Sequence, residues 1–85
     1  MSLEKYCRII EALLFSIQEP LKQSTIDTVF LDKKINLSDA VKELNDQYSK
    51  HNHAFEIKAI AGGYQLVSRE EYESFIRTVL GKNSK

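Results

Sequence analysis

The 85-residue sequence predicts an α+β domain that is mainly α, a winged helix-turn-helix with three helices, a β-hairpin wing and a C-terminal helix. Two observations predict this class. Apolar residues recur at helical spacing in four segments. Before the last of these, two strand-like segments flank a Gly-Gly pair, which is typical of a hairpin. Residues 1–81 are expected to form one winged-helix domain, and residues 82–85 a disordered polar tail.

The first two helices are separated by a proline. Helical spacing runs from Leu3 to Ile17, and Pro20 disfavours helix at the residue before it. Phe15 falls outside the apolar face of this first helix, so it either reaches a second helix or faces solvent. The second helix is expected at residues 24–31, with Ser24 as its N-cap.

The third helix is predicted for residues 38–50, with Ser38 as its N-cap. Asp39 lies in the first turn, where the helix dipole favours an acid. The apolar stripe expected to face the core consists of Ala40, Val41, Leu44 and Tyr48. Helix geometry places these four residues on one side.

The hairpin is predicted around Gly62 and Gly63, because two glycines supply the positive φ angles of a type I′ turn. This turn pairs Ala61 with Tyr64. The expected core face carries Phe55, Ile57, Ala59, Tyr64 and Leu66. Ile60 and Val67 then lie on the outer face, where water is expected.

The fourth helix is predicted for residues 70–80. Ser68 and Glu71 have the S-x-x-E spacing of a capping box, and Gly81 is a natural C-terminal stop. Its apolar stripe consists of Tyr72, Phe75, Ile76, Val79 and Leu80.

The charge of the chain argues against DNA reading. Twelve basic residues balance twelve acidic ones, whereas nucleic-acid-binding domains usually carry a basic excess. The third helix, which would enter the major groove in this topology, has Lys42 and Lys50 against three acids and has no arginine. A sequence-specific DNA-binding transcription regulator fragment is therefore the alternative function, and protein binding is favoured.

The sequence indicates no enzyme, no metal site and no cofactor. His51 and His53 are too few ligands for zinc, and Cys7 is far from them in sequence. Cys7 borders the apolar face of the first helix, where a cysteine is usually a small buried hydrophobe. With one cysteine, no signal peptide and no apolar run long enough for a membrane, the expected location is the cytoplasm.

Four apolar residues lie off the predicted core faces. Ile9 and Phe15 are on the first helix, and Ile60 and Val67 are on the wing. Apolar residues gathered in one surface patch mark an interface. These four residues are the predicted protein-interface positions.

Three segments together resemble one protein family. They are IIEALLFSIQEPL (Ile9–Leu21), AVKELNDQYSKHNHAFEI (Ala40–Ile57) and AIAGGYQLVSREEYESFIRTVL (Ala59–Leu80). In order and spacing they resemble the N-terminal half of bacterial segregation and condensation protein B. Residues 22–37 match this pattern less clearly.

The resemblance implies a non-catalytic subunit of the bacterial SMC condensin complex, which condenses and segregates chromosomes. It implies a homodimer that binds the kleisin, segregation and condensation protein A, and through it the SMC ATPase. It also implies a location at the nucleoid in the cytoplasm. Family members carry a second winged-helix domain, which these 85 residues do not include.

Overall fold

The computed structural model describes residues 3–80 and confirms the predicted order of elements. The elements are α1 (Leu3–Ser16), α2 (Gln23–Val29), α3 (Leu37–Lys50), β1 (Phe55–Ile60), β2 (Gly63–Ser68), a 3-10 turn (Glu70–Tyr72) and α4 (Glu73–Leu80). The predicted stop at Gly81 and the predicted tail lie outside the described residues.

The core lies between α1, α3 and the inner face of the hairpin. Its buried members are Cys7, Ile10, Leu14, Leu21, Ile26, Leu37, Ala40, Val41, Leu44, Tyr48 and Ile57. The whole predicted stripe of α3 is among them, and so is Cys7, which has no exposed surface. Burial raises the pKa of the Cys7 thiol, as expected for a cysteine that acts as a core hydrophobe.

The start of α2 differs from the prediction. The helix begins at Gln23 after Lys22, whose side chain makes no capping hydrogen bond, so the predicted cap at Ser24 is wrong. The Gln23 side chain instead accepts from the Leu37 backbone N–H and donates to the Ile35 carbonyl, both at 2.8 Å. These two bonds join the start of α2 to the start of α3.

The cap of α3 also differs. The Asn36 side chain accepts from the Asp39 backbone N–H at 3.1 Å, so the cap is Asn36 and the prediction of Ser38 is wrong. Both residues are good caps by type. Leu37 is 1% exposed within the first turn, and burying it there requires the helix to begin before Ser38. Asp39 lies in the first turn as predicted.

The hairpin has a different register from the predicted one. Ile60 pairs with Gly63 and Ala59 with Tyr64, so the central turn residues are Ala61 and Gly62. Their φ angles of +49° and +79° suit a type I′ turn. The predicted pairing of Ala61 with Tyr64 is therefore wrong. The pairing is displaced by two residues, which keeps the predicted alternation of faces, but Ala59, predicted to face the core, is exposed.

Gly63 is needed for a close approach and not for the turn. Leu21 forms an isolated bridge with Tyr64, with N–H···O bonds of 2.8 and 2.9 Å. A Cβ on Gly63 would lie 2.7 Å from the Leu21 carbonyl oxygen and 2.8 Å from the Pro20 Cβ. Only glycine lets the segment after α1 lie against the hairpin at this distance.

The start of the fourth helix is a third correction to the predicted caps. Ser68 is the last residue of β2, opposite Phe55, and the residue that caps the 3-10 turn is Arg69, without a side-chain bond. The predicted Ser68–Glu71 capping box is therefore wrong. Arg69 instead donates to the Ala54 carbonyl from its backbone N–H and to the His53 carbonyl from Nε, both at 2.9 Å. These bonds fix the chain as it leaves the hairpin.

Candidate protein-interaction surface

An open apolar groove of about 640 Å³ runs between α1 and the hairpin. We call it the α1–hairpin groove. Its apolar lining comes from Ala12, Phe15, Ala54, Phe55, Leu66 and Val67. Phe15 is 81% exposed here, which is unusual for a phenylalanine. The prediction left open whether Phe15 reaches a second helix or solvent, and the structure places it on the solvent side of α1.

One lining residue of the groove, Phe55, packs against two other aromatic rings. The Phe55 ring lies edge-on to Tyr48 at 4.8 Å and is stacked on His53 at 4.9 Å. Such ring pairs contribute stability beyond that of the apolar area they bury. His53, which was considered as a metal ligand, therefore packs against a lining residue of the groove. Within residues 3–80, no three potential metal-binding side chains converge.

The rim of the groove at α1 is polar. The Arg8 guanidinium donates to Glu11 at 3.1 Å and to the Gln47 side-chain oxygen at 2.6 Å. The Tyr48 hydroxyl donates to the other Glu11 oxygen at 2.6 Å. These bonds connect α1 to α3 and hold the rim in one arrangement.

The Tyr48–Glu11 contact predicts a loss of stability in alkali. Burial, and then the bond to Glu11, raise the pKa of Tyr48 above its usual value of about 10. A group whose pKa is raised by folding stabilises the fold below its unfolded-state pKa, and this stabilisation is lost as the pH rises further. We expect the urea midpoint of the wild type to fall above about pH 10, and the midpoint of Tyr48→Phe to fall less steeply.

The matched control is Tyr72→Phe, which removes the hydroxyl of a tyrosine that is 37% exposed. It should follow the wild-type pH profile, and Cys7 is common to all three proteins. Urea denaturation followed by circular dichroism at a series of alkaline pH values measures the effect. If the urea midpoints of wild type and Tyr48→Phe fell equally steeply with pH, Tyr48 would not be the cause of the alkaline loss of stability.

The predicted stripe of α4 is exposed. Phe75, Val79 and Leu80 are 69%, 69% and 63% exposed, and Tyr72 and Ile76 on the same side are 37% and 36% exposed. The helix packs mainly on the 3-10 turn before it. Within residues 3–80, one end of the molecule therefore carries an amphipathic helix whose apolar side is left largely exposed.

The match to a known family covers most of the chain. Residues 8–85 match the family described as Segregation and condensation complex subunit ScpB. The chain belongs to this family. The ScpB of Ruminiclostridium cellulolyticum is 35% identical over 80% of this chain, and that of Moorella thermoacetica is 28% identical over 84%. In both comparisons the match covers 36% of the relative's own length.

Solved structures confirm the winged-helix fold. A conserved hypothetical protein from Chlorobium tepidum superposes with a TM-score of 0.83 and 34% identity, over 92% of this chain and 49% of its own. ScpB from Mycobacterium tuberculosis gives 0.79 at 13% identity, over 100% and 53%. A ScpB N-terminal domain, described as a dimer complexed with a ScpA peptide, gives 0.74 at 22% identity, over 91% and 96%.

Of the four interface positions predicted from the sequence, two line the groove and two do not. Phe15 and Val67 line the α1–hairpin groove together, from opposite walls. Ile9 is half-buried on α1 and Ile60 is half-buried at the end of β1, and neither lines the groove. Sequence reasoning did not identify Ala12, Phe55 and Leu66 as groove residues. Nothing in their local pattern places them beside Phe15.

Two amide side chains on α3 are bonded within the domain. The Asn45 amide bonds both the N–H and the carbonyl of Ile57, at 2.8 and 3.0 Å. Gln47 accepts from Arg8 and donates to Glu43. The exposed depression on this helix is lined by Lys42 and three acids, Asp39, Glu43 and Asp46. Such a surface repels a phosphate backbone.

Between residues 3 and 80, no helix combines the length and the apolar composition needed to cross a bilayer.

Proposed function

We propose that this chain is a non-catalytic, dimerising and kleisin-binding winged-helix domain of the bacterial SMC condensin complex. In this role it supports chromosome condensation and segregation in the cytoplasm, at the nucleoid. Residues 1–81 act as one domain within this assembly. Membership of the ScpB family supports the proposal, and so does a related N-terminal domain described as a dimer with a ScpA peptide.

The observation that carries the proposal is the amount of exposed apolar surface in so small a chain. Phe15 lies open beside an apolar groove, and α4 presents a whole apolar stripe to solvent. Exposed apolar patches of this kind mark protein interfaces. The DNA-binding alternative has no comparable support, because the exposed side of α3 is acidic and the amide of Asn45 is bonded within the domain.

All four sequence-predicted positions are retained as proposed partner contacts. Phe15 and Val67 are assigned to the groove, and Ile9 and Ile60 to contacts outside it. Burial of such residues stabilises an association by roughly 25 cal/mol per Å² before the entropy cost of binding.

Light scattering over a concentration series tests dimerisation. We expect a mass twice the 9.8 kDa of the chain. A fluorescently labelled peptide from the central part of ScpA, measured by anisotropy, should bind with an affinity that depends weakly on salt. Retardation of unrelated DNA duplexes at low salt, with binding that falls steeply as salt rises, would favour the DNA-binding alternative instead. A monomer that does not bind the ScpA peptide would contradict the proposal.

A further inference from the structure

The chain carries two exposed apolar surfaces of different shape. One is the apolar stripe formed by Phe75, Ile76, Val79 and Leu80 of α4 together with Tyr72 at the end of the 3-10 turn; we call it the α4 stripe. The other is the α1–hairpin groove, which is open, apolar and bordered by Phe15. An amphipathic helix lying in an apolar groove is a recurring mode of protein recognition.

The stripe does not reach the groove of its own chain. Ser68 lies at the edge of the groove and α4 begins at Glu73, with the 3-10 turn between them. Arg69 is bonded to His53 and Ala54, so this turn leaves the hairpin in a fixed direction. The helix therefore extends the molecule to 47 × 26 × 17 Å. Its radius of gyration is 14.5 Å, whereas about 12 Å is typical of a compact domain of this length.

We infer that α4 of each copy occupies the α1–hairpin groove of a second copy, in a twofold symmetric exchange. This inference rests on the proposed dimerisation and specifies its surface. A twofold pair is self-complementary, since each copy supplies one helix and one groove. Ser68 at the groove edge and the start of α4 at Glu73 are separated by four residues, so the helix and the groove of one copy are joined by a short segment.

The size of the surface agrees with such an exchange. If a fully exposed large apolar side chain presents about 200 Å², Phe15 and the α4 stripe together expose roughly 700 Å² in each copy. Two copies would then cover about 1,400 Å², within the range of about 1,200–2,000 Å² that specific, stable interfaces bury.

The charges beside the two surfaces specify an orientation. On the groove rim, Arg8 precedes Glu11 along α1, and on the flank of α4, Glu73 precedes Arg77. If α4 of the second copy runs parallel to α1, each charge lies opposite its counter-charge. The antiparallel arrangement would oppose like charges. Such pairs select a register more than they add affinity, so the apolar contact supplies the binding and the charges select the parallel arrangement.

Two single substitutions test the contact. Phe15→Glu alters the groove and Phe75→Glu alters the stripe, and both positions are exposed in the folded chain. Each contact occurs twice in the pair, so each variant should raise the dimer dissociation constant by about 100-fold or more. Val79→Glu provides a second variant of α4. Sedimentation velocity measures the dissociation constant, and circular dichroism verifies that each variant is folded.

Leu31→Glu is the matched control. Leu31 is 83% exposed, as much as Phe15, but it lies on a surface that is not part of either half of the contact. Its dissociation constant should stay within about threefold of the wild type, as expected for a surface substitution away from special features.

A mixing experiment identifies the exchange itself. Phe15→Glu retains a wild-type α4 and Phe75→Glu retains a wild-type groove, so a mixed pair restores one of the two contacts. Mixing the two monomeric variants, labelled with donor and acceptor dyes, should restore energy transfer at concentrations where neither variant self-associates. Absence of transfer at every concentration would overturn the inference.

Other arrangements give different results. If α4 packs against α4 of the second copy, Phe15→Glu stays dimeric. If the groove holds the ScpA peptide, Phe15→Glu stays dimeric but no longer binds the peptide. Either result would overturn the inference and leave the proposed dimerisation intact. A wild-type chain that is monomeric at all concentrations would overturn both.

Discussion

Asn45→Ala is expected to lower the free energy of unfolding by about 3 kcal/mol, because it leaves both backbone groups of Ile57 without their partners. Ile57 is only 4% exposed, so water cannot readily replace the two bonds. These groups lie on the edge of β1 that does not face β2. The Asn45 amide thus takes the place of a neighbouring strand and connects α3 to the hairpin.

A loss of this size is large for so short a chain, because folded proteins have a net stability of only about 0.05–0.15 kcal/mol per residue. Urea denaturation followed by circular dichroism measures it. The matched control is Asp46→Ala, an exposed neighbour on the same helix, which should change stability by less than about 0.5 kcal/mol. A loss below about 1 kcal/mol for Asn45→Ala would show that solvent satisfies Ile57 in the variant.

Much of the fold could be predicted because its signal is local. The apolar spacing of α1 and α3 reports which side of each helix is buried, and the buried residues Ile10, Leu14, Leu44 and Tyr48 follow it. The caps could not be predicted in the same way. Asn36 and Ser38 are both suitable by residue type, and tertiary burial of Leu37 decides between them.

The amphipathic pattern of α4 was predicted, but its exposure was not. Periodicity identifies the apolar side of a helix and is silent about what covers that side. The same limit applies to the α1–hairpin groove. Phe15 and Val67 are far apart in sequence and meet only because the hairpin packs beside α1. That both lie outside the core faces could be predicted from the sequence, whereas predicting that they meet required the fold.

Several residues in the segments that carry the family resemblance have structural roles. Glu11 accepts a hydrogen bond from the Tyr48 hydroxyl, and the Asn45 side chain is hydrogen-bonded to the Ile57 backbone. Gly63 allows the segment at Leu21 to pack closely against the hairpin. The family resemblance therefore rests on residues that maintain the fold more than on residues that form a binding site. Phe15 lies in the same segments but is largely exposed in the single chain, which is why the interface proposals depend on it.

Gly63→Ala is the second substitution with a large expected effect, a loss of about 3 kcal/mol in the free energy of unfolding, within the usual cost of overpacking. The added methyl would lie 2.7 Å from the Leu21 carbonyl oxygen and 2.8 Å from the Pro20 Cβ. This steric clash can be relieved only if the segment at Leu21 moves, and that movement breaks both hydrogen bonds between Leu21 and Tyr64.

Gly62→Ala is the matched control, because it adds the same methyl one residue earlier. Gly62 has φ +79° and open space around it, so it should lose only the cost of a left-handed conformation, about 1–2 kcal/mol. Urea denaturation of the two variants in parallel separates a steric contact from a turn conformation. A larger loss at Gly62 than at Gly63 would contradict the packing role of Gly63. We expect the larger loss of stability at Gly63, because Gly63 contacts the segment at Leu21, which lies outside the hairpin.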